Sequence, residues 1–117
     1  MGGKEVEAGV KTYRLVLTPR AGRELDGILD TIAEEAGLAT ARRWGRRIDS
    51  QLRSLRDFPS TGMADHHLQG HRRLIIAPYV VIYRVVEPDS VFVIRVLDGR
   101  RDLSSILKSE LAPEDDA

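Results

Sequence analysis

The spacing of hydrophobic residues changes from segment to segment along this chain, and each change predicts an element. Alternation at Tyr13, Leu15 and Leu17 reads as a strand. Thr18 and Pro19 then supply a helix start, a capping hydroxyl followed by a ring that suits the first helical position. Leu25, Ile28, Leu29, Ile32 and Ala36 repeat at three and four, the apolar face of one helix, and Gly37 is expected to end it in a left-handed cap. A second helix is predicted over about 39–57. Its stripe is Ala41, Trp44, Ile48, Leu52 and Leu55, and Phe58-Pro59 stops it. The short join makes the pair an antiparallel hairpin.

Residues 60–70 read as a polar loop. Three strands follow, over 72–76, 79–87 and 90–97, separated by turns at Ala77-Pro78 and Pro88-Asp89. A short last helix is expected from Leu103 to Leu111, capped by Asp102. The order strand, helix, helix, three strands, short helix predicts an α+β fold. Its sheet would be four-stranded and mainly antiparallel, with the helical hairpin on one face.

Two tight turns would fix the register. Ile76 then pairs with Tyr79, Arg73 with Ile82, Val86 with Val91, and Ile82 with Arg95. One face would carry Leu74, Ile76, Val81, Tyr83, Val85, Phe92, Ile94 and Val96, an apolar set that suits the helices. The other would carry His71, Arg73, Ile75, Val80, Ile82, Arg84, Val91, Val93, Arg95 and Leu97. Unpaired arginines are costly to bury, so this second face is expected to stand open and await a partner. A bulge or a three-residue turn would reverse part of the assignment.

Length and composition narrow the picture. The chain has 117 residues, 42% of them hydrophobic, enough for one domain with a real core. That domain is expected over 12–111, with 1–11 a flexible leader and 112–117 an acidic tail. No apolar run reaches the length of a membrane helix, and no signal peptide is visible at the start given. Without cysteine there is neither a disulfide framework nor a thiolate metal site. These features fit a cytoplasmic protein. Basic and acidic residues balance at 18 each, which argues against coating nucleic acid by bulk charge. The balance is uneven, however. Arg42, Arg43, Arg46, Arg47, Arg53 and Arg56 crowd the second helix and its exit. Solvated pairs with Glu24, Asp26, Glu34 and Glu35 are the plainest account of them.

Four strings in order, YRLVLTPRAGRELDGI, LRSLRDFPSTG, GHRRLIIAPYVVIYRV and VIRVLDGRRDL, cover most of the domain. As an ordered set they resemble the RelE/ParE superfamily of bacterial type II toxins. That resemblance implies a small toxin neutralised by an antitoxin with an acidic, amphipathic C-terminal segment. It also implies one of two activities. RelE-like members cut messenger RNA in the ribosomal A site, whereas ParE-like members poison DNA gyrase. The long hairpin is similar to that of ParE-like members.

RNA cleavage needs a base for the 2′-hydroxyl, cations for the phosphate and an acid for the leaving oxygen. The sequence offers His71, Arg73, Arg84 and Arg95 for this chemistry, with Arg100 and Arg101 nearby. Yet the RelE-like catalytic arginine falls near Val80, Asp98 stands where much of the superfamily has histidine, and no Tyr or His follows Tyr83. The expected reading is therefore a non-enzymatic, ParE-like gyrase inhibitor. Arg73, Arg84, Arg95, Arg100, Arg101, Val80, Ile82 and Leu97 would form its antitoxin- or target-binding surface. The ribosome-dependent nuclease and an inactive, degenerate member remain alternatives. His66, His67 and His71 lie in or beside a loop without a fixed set of further donors, so no metal is expected, and no cofactor.

Overall fold

The computed structural model describes residues 11–111, so the expected leader and acidic tail lie essentially outside the described residues. Strand β1 (Arg14–Leu17) leads into helix α1 (Pro19–Ala36) and helix α2 (Leu38–Ser54). The two-residue β2 (Met63–Ala64), then β3 (Arg72–Ile76), β4 (Tyr79–Val86) and β5 (Ser90–Asp98) follow, and α3 (Leu103–Leu111) comes last.

Local chemistry sets the start of α1 as expected, whereas α2 ends at Ser54, three residues before the expected 57. The Thr18 hydroxyl accepts a hydrogen bond from the Ala21 N–H at 3.2 Å, and Pro19 opens α1. Gly37 takes the positive φ of 96° foreseen for it, but with ψ at 159°, so it is not a left-handed helical cap. It is instead an extended elbow that closes α1 and opens α2 at once. Among the stripe residues, Ala41, Ile48, Leu52 and Leu55 are buried, and Trp44 meets the ring of Tyr79 edge-on at 5.3 Å.

The sheet has five strands in the order β1-β5-β4-β3-β2. The extra strand is β2, paired to the start of β3 inside the segment expected to be a loop. β1 lies parallel to β5, and the other pairs are antiparallel. The first hairpin has the predicted register, with Ile76 opposite Tyr79 and Arg73 opposite Ile82. The second departs from it. Val86 pairs with Ser90, so the turn holds three residues rather than two. A bulge at Ile94 then absorbs the offset, and Ile82 does face Arg95.

Because of that turn and bulge, Val91 and Val93 point to the helices, while Phe92 and Ile94 point away, the reverse of the expectation. The main core joins Tyr13, Ala21, Ile48, Leu52 and Leu55 to Leu74, Ile76, Val81, Tyr83, Val91, Val93 and Val96. Within it the Tyr83 hydroxyl accepts from the Gly62 N–H at 2.9 Å and donates to the Pro59 carbonyl at 2.7 Å. A Cβ on Gly62 would stand 2.4 Å from the Arg73 carbonyl oxygen, so only glycine permits that approach.

A second, smaller core lies on the other side of the sheet. Leu103, Ile106 and Leu107 of α3 pack with Leu68 on Val80, Ile82 and Leu97. These three strand residues were expected on an open face; instead each is at most 5% exposed. The apolar side chains that α3 presents account for the difference, since an aliphatic patch and an amphipathic helix bury one another.

A candidate partner-binding face

Half of the outer sheet face lies under α3, and the other half is open. Arg84, Val86, Phe92 and Ile94 line a shallow depression of about 290 Å³ there. Arg84 is exposed, and the three apolar residues are half-buried. At the β3 margin of the same face, Ile75 is exposed beside Arg73. Phe92, Ile94 and Val86 were not among the expected site residues. For Phe92 and Ile94 the missed signal was the length of the second turn, which no local pattern announces.

The arginines of this region have different fates. Arg95 is buried, and its Nε and Nη2 donate to Oε2 of Glu24 at 2.9 and 2.7 Å. The other oxygen, Oε1, accepts the N–H of Val96 at 2.9 Å. This arrangement follows from β1 being short. Its last pairing is Leu17 with Val93, and past that point the β5 edge has no strand beside it. Thr18, donating to the Ile94 carbonyl at 3.3 Å, and Glu24 supply the missing hydrogen bonds from α1.

Arg73 is tied on the opposite margin. Its Nε donates to Oδ1 of Asp65 at 3.1 Å, and the Asp65 side chain has no exposure. Oδ2 of the same carboxylate accepts the N–H groups of His67 and Leu68, both at 2.8 Å. Burial pushes the Asp65 carboxyl up, but the Leu68 and His67 N–H groups and the Arg73 guanidinium outweigh it, so the net shift is downward. Nδ1 of His67 lies 3.9 Å from this carboxylate.

Arg100 grips Asp98 with two hydrogen bonds of 2.8 and 2.7 Å, and this side-chain pairing, the largest influence, takes the Asp98 carboxyl down to about 2. Gly99 makes the turn possible. Its N–H donates to the Pro78 carbonyl at 2.7 Å, and a Cβ there would sit 2.7 Å from that oxygen. Arg100 and Arg101 are both exposed and line a groove of about 380 Å³ between α1 and the end of β5. His71 is half-buried just before β3, with Nδ1 3.0 Å from the Gln69 carbonyl oxygen.

The residues considered for cleavage therefore do not converge. Arg73 reaches to the segment after β2 and Arg95 to α1, on opposite sides of β4. Glu24 and Asp65, which dispose of both, were not expected at this site. The only sequence signal was an acidic residue on α1 and one beside two histidines, and neither names its distant partner.

The sheet thus has a helical hairpin on one face, a short helix over part of the other, and an amphipathic strip left exposed beside it. The family model described as ParE toxin of type II toxin-antitoxin system, parDE, matches residues 15–103. Toxin ParE3 of Caulobacter vibrioides is 32% identical over 95 residues, covering 80% of this chain and 94% of that protein. A structure of the chromosomal ParDE TA system from P. aeruginosa superposes with a TM-score of 0.67 at 22% identity, covering 74% of this chain and 96% of that one. The chain belongs to the ParE toxin family of type II toxin-antitoxin systems. Among the described residues, no helix is long and apolar enough to cross a membrane.

Proposed function

We propose that this toxin acts without hydrolytic chemistry, by binding DNA gyrase in the cytoplasm, and that a cognate antitoxin neutralises it on the open half of the outer face. The observation that carries the reading is the engagement of Arg73 and Arg95 by Asp65 and Glu24. A guanidinium already held by a carboxylate at hydrogen-bond distance is poorly placed to stabilise a pentavalent phosphate. Membership of the ParE family supports the same direction.

The test pairs two assays. Purified toxin should block gyrase supercoiling while leaving messenger RNA intact on translating ribosomes. Cuts in the A site with gyrase unaffected would replace this reading with the nuclease. No effect in either assay, and no growth arrest on expression, would favour an inactive member.

For the antitoxin, the strip of Arg84, Val86, Phe92 and Ile94 fits an amphipathic segment with acidic and apolar side chains in alternation. Val80, Ile82 and Leu97 would act from beneath, as the seat of α3. Phe92→Ala should cost about 2 kcal/mol of antitoxin affinity, on the order of thirtyfold in Kd by calorimetry. Arg84→Glu should chiefly slow association. Unchanged affinity in both variants would place the antitoxin elsewhere.

A further inference from the structure

The outward face of α2 has no part in the docking strip, the cores or the ion pairs described above. From Arg42 to Ser50 its exposed positions are Arg42, Arg43, Arg46, Arg47, Asp49 and Ser50, none of them apolar. Asp49 is taken by Arg53, whose Nε donates to it at 2.8 Å. The pairs expected with α1 do not form. Among the described residues, no carboxylate lies within salt-bridge distance of Arg42, Arg43, Arg46 or Arg47. Asp26, Asp30, Glu34 and Glu35 are exposed on α1, so the hairpin is acidic along one helix and basic along the other. A net charge of zero hides this division.

Four guanidiniums at i, i+1, i+4 and i+5 stand in two rows. Residues four apart are separated by about 6 Å along the helix axis, comparable to the separation of successive phosphates on one strand. Each guanidinium presents a planar fork suited to phosphate oxygens. An acidic protein partner would be expected to meet apolar residues among the charges. The exposed positions from Arg42 to Ser50 are all polar, and the nearest exposed large apolar side chain on α2 is Leu38, one turn before Arg42. Trp44 lies half-buried beneath, its ring covered by the Arg47 guanidinium at 4.9 Å and met by Tyr79.

We propose that the α2 face formed by Arg42, Arg43, Arg46 and Arg47 is a binding surface for the phosphate backbone of duplex DNA. It lies on the hairpin side of the sheet, away from the docking strip, and it does not depend on which enzyme the toxin inhibits. Contacts would be to phosphates alone, so binding would be indifferent to base sequence.

Fluorescence anisotropy of a labelled duplex with the full-length toxin, over a series of salt concentrations, tests this directly. Four phosphate contacts predict a slope of log K against log salt of about −3.6, taking 0.9 per phosphate. Replacing Arg42 and Arg46 by Gln should halve the slope and weaken binding at least tenfold at low salt. Replacing all four should abolish binding while the domain stays folded, since the only contact described for these side chains with the core is that of Arg47 on Trp44. A fourfold Arg→Lys variant should still bind. Duplex affinity that survives the fourfold Gln variant would overturn the proposal. So would the absence of salt-dependent binding by the wild type, or competition by polyglutamate as effective per charge as by DNA.

Discussion

Glu24→Ala should lower the stability of this domain by about 3 kcal/mol in urea denaturation, a large share of the 5–15 kcal/mol typical of a natural domain. The loss has two sources. Arg95 is 4% exposed at its side chain and would lose the carboxylate that its Nε and Nη2 both bond. The Val96 N–H would lose its acceptor on an edge that β1 does not reach. A double change of Glu24 and Arg95 to Met should recover most of the loss, because two apolar side chains replace a pair that was expensive to desolvate. Should Glu24→Ala unfold at the wild-type urea midpoint, the pair would be an ornament of the fold.

A comparable effect is expected on the far margin. Asp65 binds Arg73 and two backbone N–H groups from a site without exposure, so Asp65→Ala should also cost about 3 kcal/mol. Here pH gives an independent check. The carboxyl is held below its ordinary value of 3.8 in the folded protein. Its contribution is therefore complete above that value and is lost as the pH falls through the depressed folded one. Urea midpoints of wild type and Asp65→Asn should differ by a constant amount near neutrality and approach each other below pH 3.8. A gap that persists at low pH would assign the loss to shape rather than charge.

Much of this fold was readable where neighbours in sequence decide the structure. Thr18 and Pro19 start α1 by chemistry confined to four residues, and Asp102 caps α3 through the Ser105 N–H in the same way. The Ala77-Pro78 turn fixed the first hairpin pair by pair. Reading failed where distant residues decide. The parallel place of β1 beside β5 depends on contacts across most of the chain. A turn one residue longer than expected reversed Val91 and Phe92, and that error hid the open strip. Val80, Ile82 and Leu97 looked open because nothing in their own segments announces that α3 will return to cover them. Arg73 and Arg95 looked available because Glu24 lies 71 positions from Arg95, and Asp65 stands in a segment with no periodicity.

The bulge at Ile94 has a further consequence for how such a chain can change over generations. Val93 sits opposite Tyr83 and Arg95 opposite Ile82, so Ile94, whose carbonyl accepts from the Thr18 hydroxyl, has no residue opposite it on β4. Its removal would leave every other pairing as it is, whereas a deletion elsewhere in β4 or β5 would turn the rest of that strand inside out. The outward strip thus carries a spare residue. A lineage can lose or reshape it there while the Glu24–Arg95 clamp one position further on stays in frame.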